Sequence, residues 1–138
     1  MHRQTWKLSL LVLVVATLIA VAACGAKQES GTDFPAFVYK SAESLQGYRL
    51  AVANADMLKA LPCYCGCVRS TPPHKHLYDC FINDDGTYDD HASSCDVCVR
   101  ETKDAVQWQK EGKSLNQIRD LIDQKYQETG DPTDTPAP

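Results

Sequence analysis

Six cysteines and three histidines fall within residues 62–98: Cys63, Cys65, Cys67, Cys80, Cys95, Cys98, His74, His76 and His91. No other thiol or imidazole follows residue 24. The densest run is Pro62-Cys63-Tyr64-Cys65-Gly66-Cys67. In an extended chain, cysteines at i, i+2 and i+4 share a face. On a helix Cys63 and Cys67 would share one and Cys65 would point away. Gly66 can take a positive φ, which would let the backbone wrap three thiolates around one centre. Cys95 and Cys98 lie three apart at a predicted helix start, where the dipole favours thiolate over thiol. Cys80 and the His74–His76 pair lie between the two groups.

Three chemistries suit such a set. The first is a disulfide framework, with fifteen possible connectivities for six cysteines. Neighbouring thiols in Cys-x-Cys are poorly placed to pair with each other. Each of the first three would need a distant partner, which crowds three bridges into one place and leaves the histidines without a role. The second is a metal site. Thiolate and imidazole donors select copper(I), zinc or iron–sulfur clusters. One tetrahedral zinc uses four ligands, and the surplus suits two zincs or a multi-copper thiolate site. The third is thiol–disulfide exchange at Cys95-Asp96-Val97-Cys98. No βαβ pattern surrounds that pair, as a thioredoxin-like reading would require. We favour copper(I), with zinc in a structural site as the rival. The expected ligands are Cys63, Cys65, Cys67, Cys95 and Cys98, joined by Cys80 and His91; His74 and His76 are weaker candidates.

Other chemistries find less support. Asn83-Asp84-Asp85-Gly86-Thr87-Tyr88-Asp89-Asp90 hints at a calcium loop. Setting Gly86 at loop position six puts Phe81 first and Ala92 twelfth, so the pattern fails and a solvated acidic turn is the better reading. Spacing supports no catalytic triad and no carboxylate pair, so no catalytic residue is assigned and a binding protein is expected. The 138-residue chain carries a formal charge of −4. Arg3 and Lys7 are the only basic side chains before Cys24 and no acidic one precedes it, so the remainder is more acidic still. That balance disfavours nucleic acid as a partner.

The elements that must position these donors begin after an address. Residues 1–7 carry His2, Arg3 and Lys7, and residues 8–23 form an apolar run of 16. The run is short for a membrane span of about 20 residues. Charge, apolar run and small residues together make a secretory signal peptide at 1–23; an uncleaved anchor helix is the alternative. Val21-Ala22-Ala23-Cys24 resembles the lipobox of bacterial lipoproteins. That resemblance implies that Cys24 is acylated and becomes the first mature residue, anchored on the extracytoplasmic face of a membrane. Residues 24–33 are small and polar and read as a flexible tether.

The predicted domain, 34–129, is mostly α: three helices around a long Cys/His-rich irregular loop. Residues 34–39 read as a non-helical, aromatic segment that packs onto it. Leu45, Tyr48, Val52, Ala55 and Leu58 recur at helical steps. Gly47 weakens that helix, and Pro62 should end it near Ala60. Residues 62–94 read as loop, with a short hairpin around Asn83–Gly86. Ser93 and Ser94 offer cap oxygens for a second helix, which Gly112 stops. Ser114-Leu115-Asn116-Gln117 fits a capping box for a third, carrying Leu115, Ile118, Leu121, Ile122 and Tyr126 inward. The tail, 130–138, reads as disordered. So little helix around so long a loop needs a staple, which metal or disulfides can supply.

Pro62 to Cys67, then His74-Lys75-His76-Leu77-Tyr78-Asp79-Cys80-Phe81, then His91-Ala92-Ser93-Ser94-Cys95-Asp96-Val97-Cys98, resembles the PCYCGC-motif family of bacterial lipoproteins. The similarity runs from about Phe34 to Tyr126. It implies a lipid-anchored, extracytoplasmic protein with a suspected metal-binding role, and no catalytic residue.

Overall fold

Apolar side chains at helical spacing shape most of residues 33–138, the part of the chain that the computed structural model describes. The expected signal peptide, the acylated Cys24 and the tether lie outside the described residues, apart from the last tether position, Asp33. Residues Phe34–Pro138 form one unit. It is mostly helical, with four α-helices and no extended strand among the described residues.

Helix α1 (Ala42–Ala53) starts at Ser41, whose side chain accepts from Ser44 N at 3.0 Å. It buries Ser44, Gly47, Tyr48 and Ala51 on one stripe. Gly47 is needed there. A Cβ at that position would meet Val99 Cγ2 at 3.0 Å and Phe81 Cε1 at 3.1 Å. The missing side chain thus lets the crossing helix come close. A single helix was expected to run to near Ala60, but the chain breaks at Asn54. The Asn54 side chain donates to Leu50 O at 2.8 Å, a local bond that competes with the helical ladder. A one-turn helix, α2 (Ala55–Lys59), follows and buries Met57 and Leu58.

Helix α3 (Asp96–Lys110) buries Cys98, Val99, Glu101, Thr102, Ala105 and Val106. Cys95, not Ser93 or Ser94, is its N-cap, and it makes no side-chain cap bond. The two serine hydroxyls accept instead from Lys40 Nζ, at 3.0 and 3.1 Å. The helix turns out at Gly112, which has φ 82°. Helix α4 (Leu115–Tyr126) has the expected capping box of Ser114 and Gln117, and buries Ile118, Ile122 and Tyr126 against α3.

The aromatic segment at 34–39 differs from expectation in one respect. It was expected to be non-helical and contains a 3₁₀ turn (Ala36–Lys40), although it packs onto the domain as expected, burying Phe34 and Val38. Tyr48 is the hub of this side of the core. Its ring meets Phe81 at 5.2 Å edge-on and also touches Phe34, Phe37 and Tyr88. Its hydroxyl donates to Asp89 O. The loop between α2 and α3 is held by three 3₁₀ turns (Cys67–Arg69, Leu77–Cys80, His91–Ser93) and one bridge, Ile82 to Tyr88. That bridge closes the hairpin expected around Asn83–Gly86, with Gly86 at φ 84°.

The tail departs furthest from expectation. Residues 130–138 were read as disordered, yet Thr133 and Thr135 are buried. Thr133 pairs with Cys63 in both directions: its N donates to Cys63 O at 3.0 Å, and its Oγ1 accepts from Cys63 N at 2.9 Å. Thr135 Oγ1 donates to Lys75 O at 2.6 Å, and Arg119 holds the Thr135 carbonyl at 3.1 Å. Gly130 lies so close to the hexapeptide that a Cβ would stand 2.8 Å from Tyr64 O. The tail is a strap across the cysteine segment. Its polar composition hides this, because the order comes from bonds to distant backbone groups that would otherwise be buried without partners.

Candidate metal centre

Four elements deliver the donors to one place. The hexapeptide enters extended from Pro62 and then turns at Gly66, whose φ of 79° puts it in the left-handed region. That turn brings Cys67 back toward Cys63 and Cys65, as the positive φ at Gly66 was expected to allow. The Leu77–Cys80 turn adds Cys80, the His91–Ser93 turn adds His91, and the first turn of α3 adds Cys98.

The sulfurs converge. Cys63 Sγ lies 3.7 Å from Cys98 Sγ, and Cys67 Sγ lies 3.8 Å from Cys80 Sγ. Cys65 Sγ lies 3.3 Å from His91 Nε2. All six cysteines of the domain are free. A disulfide needs about 2.05 Å between sulfurs. Two thiolates bound to one tetrahedral ion at about 2.3 Å stand about 3.8 Å apart, close to the spacing found here. The ligand atoms of Cys63, Cys65, Cys67 and Cys80 all lie within 4.8 Å of one another, as do those of Cys65, Cys80, His91 and Cys98. These clusters could hold a soft metal ion.

Not every expected ligand joins these two sets. Cys95 stands at their margin, beside Cys65 and Cys98. His74 lies beside Cys67, with its ring edge-on to that of His91 at 5.2 Å. Its Nδ1 is buried without a partner. His76 turns away: its Nδ1 lies 3.0 Å from Asp79 Oδ1, off the hydrogen-bonding direction. Cys63, Cys67, Cys80 and Cys98 are buried, whereas Cys65, His91 and Cys95 are half-buried. The cluster therefore has one accessible edge.

Crowding sorts the thiols. Cys65 is driven far below the ordinary thiol range, first by the bond from Cys63 and then by those from Cys67, Cys80 and Cys95. The bond to Cys65 pushes Cys63 well up. Cys67 and Cys80 rise as well, each chiefly through its bond with Cys63. His91 is raised by its bond to Cys65. Packed this closely, the thiols favour ionisation at Cys65 over its neighbours. Additional thiolates in the same space need a cation to hold them together.

Two supports were not expected from the sequence. Glu101 is fully buried on α3, one turn beyond Cys98, and its Oε1 accepts from Tyr64 N at 2.8 Å. Burial pushes its carboxyl up to about 8, and a bond with Cys63 opposes that rise. The three-residue step from Cys98 puts Glu101 on the same helix face, a signal that was present in the sequence. Thr133, the other support, has no local signal.

The matched family is described as a protein of unknown function with PCYCGC motif, and its model covers residues 14–138. The chain belongs to the PCYCGC family. The match extends beyond the 34–126 span that the motifs alone suggested, and in this PCYCGC protein it includes the C-terminal strap. No curated protein and no solved structure matches.

Proposed function

We propose that this PCYCGC protein is a lipid-anchored, extracytoplasmic copper(I)-binding protein that sequesters the ion or hands it on, without catalytic turnover. The observation that carries the reading is the convergence of five thiols and His91 at metal-ligand spacing. Soft thiolates suit copper(I). Buried sulfurs suit retention, and the half-buried edge at Cys65, His91 and Cys95 suits exchange with a donor or acceptor. Cys95, outside both four-donor sets, is placed to accept an incoming ion first. Val21-Ala22-Ala23-Cys24 supports acylation at Cys24 and delivery to a membrane surface.

Metal analysis of protein purified from cells, with thiol titration, tests the reading. Copper at one equivalent or more with reduced thiols supports it. Metal-free protein with Cys63–Cys98 and Cys67–Cys80 joined as disulfides replaces it with a stapled interaction module. For the anchor, Cys24→Ala should move the protein from the membrane fraction to the soluble one.

Zinc in a structural role is the second reading. It is favoured by the all-thiol set Cys63, Cys65, Cys67 and Cys80, since closed four-sulfur tetrahedra are typical of structural zinc. Zinc at one equivalent and no copper would decide for it.

A further inference from the structure

Of the six cysteines in the described residues, only Cys95 lies outside both four-donor sets. It stands at the N-cap of α3 but makes no side-chain cap bond. Its side chain lies against that of Cys65, which reaches the same place from the hexapeptide. These two are also the half-buried thiols, whereas Cys63, Cys67, Cys80 and Cys98 are buried. The accessible edge of the cluster therefore presents two neighbouring thiols from segments far apart in sequence. Cys65 differs from its neighbour in one respect: it belongs to both four-donor sets. A sulfur tied up in a disulfide is no longer a thiolate ligand. Whatever takes Cys65 takes a donor from each set.

We propose that Cys65 and Cys95 form a redox-active dithiol that exchanges with small disulfides of the glutathione class, and that its oxidation and metal binding exclude each other. The exclusion rests on the copper-binding reading above; the dithiol does not.

The exchange needs no other oxidant. The Cys65 thiolate attacks one sulfur of the incoming disulfide, R–S–S–R. A Cys65–S–S–R bond forms and one R–S⁻ leaves. The Cys95 sulfur then attacks the Cys65 sulfur, closes Cys65–S–S–Cys95 and expels the second R–S⁻. The two protons given up by Cys65 and Cys95 end on the two R–S⁻ groups. Two protein thiols are oxidised by two electrons, and one small disulfide is reduced to two thiols. Excess small thiol runs the steps backward and restores both ligands.

Exposure selects this pair over the others. Cys63 and Cys98 face each other at 3.7 Å, and Cys67 and Cys80 at 3.8 Å, but all four are buried. Attack on a disulfide requires the sulfur to be reached, and exchange follows access. Cys98 is three residues from Cys95, yet its sulfur is turned inward to Cys63.

The test mixes the whole chain in detergent, reduced and metal-free, with oxidised glutathione under anaerobic conditions. Samples are trapped by alkylation at intervals and mapped by mass spectrometry. The first intramolecular bond should join Cys65 to Cys95. Cys95→Ser should stop at a glutathione adduct on Cys65, with circular dichroism checking that its helices persist; the wild-type map decides without any variant. A first bond at Cys63–Cys98, Cys67–Cys80 or Cys95–Cys98, or no bond at all, overturns the dithiol. The second arm preloads the protein with copper(I) at about a hundred times its dissociation constant, where a reaction confined to the metal-free centre slows about a hundredfold. Oxidation at an unchanged rate, or copper retained by the oxidised chain, overturns the exclusion. A chain that binds no copper overturns the copper reading, and the metal-free arm still judges the dithiol.

Discussion

Tyr48 and Cys63 are both fully buried, yet they are held in unlike ways. Tyr48 sits on a helix whose hydrogen bonds are local, and four aromatic rings surround it. Cys63 sits in an irregular segment. Its backbone is paired with Thr133, seventy residues away, and its sulfur faces Cys98. The helical part buries hydrocarbon. The sulfur part brings together groups that repel one another once ionised. The difference teaches that the helices form a scaffold held by packing within the chain, whereas the cysteine segment gathers donors that a metal ion could hold together.

Removing the ion should separate the two parts most sharply. A ligand that binds only the folded state at about a thousand times its dissociation constant adds about 4 kcal/mol of stability. Chelation should therefore lower the thermal midpoint by well over ten degrees in a domain this small, at about 4–8 °C per kcal/mol. Hydrogen exchange should show the loss of protection in residues 62–94 before α1, α3 and α4. Equal loss everywhere would erase the distinction.

Gly47→Ala attacks the scaffold alone. The new methyl crowds Val99 and Phe81 where the helices cross. Overpacking of this kind costs about 1–3 kcal/mol, partly offset by better helix propensity. Denaturant unfolding should show that loss while the metal stoichiometry stays unchanged.

Thr133→Ala attacks the other part. It leaves Cys63 N buried without its acceptor, a cost of about 1–3 kcal/mol in a buried site. The loss should sit near the low end, because backbone pairing from Thr133 N remains. Metal should leave this variant faster in a competition assay, whereas Gly47→Ala should exchange at the wild-type rate.

The smallest effect concerns pH. His76 faces Asp79, Asp84 and Lys59, and burial, the largest influence, holds it below the ordinary imidazole range despite the two carboxylates. The folded state therefore prefers neutral His76. Its contribution is complete above the unfolded value of about 6.5. It is lost as pH falls through the lowered folded value. His76→Gln should flatten the decline of stability below about pH 6.5, without changing copper content at neutral pH.

Legibility in the sequence followed locality. The capping box at Ser114 and Gln117 and the stop at Gly112 are short-range signals, and α4 formed where they placed it. The donor set was legible because six cysteines are concentrated in so few residues, and Gly66 gave away the turn. Nearby bonds hid the break at Asn54, because a side chain reaching back to Leu50 O looks like any other polar residue in the sequence. Ser93 and Ser94 had the right chemistry for a cap but were taken by Lys40, distant in sequence. His74 and His76, two apart and expected to behave alike, diverge because the turn at Leu77 carries Asp79 to His76 alone. The strap was invisible, since threonine, proline and aspartate in a tail signal order only when a remote backbone waits for them.

The strap also imposes a sequence of events. Thr133 leaves the ribosome long after Cys98, so a growing polypeptide displays every thiol of the domain before its first one can be sealed. During that interval the redox state and metal supply of the surroundings, not the finished fold, decide what those sulfurs meet.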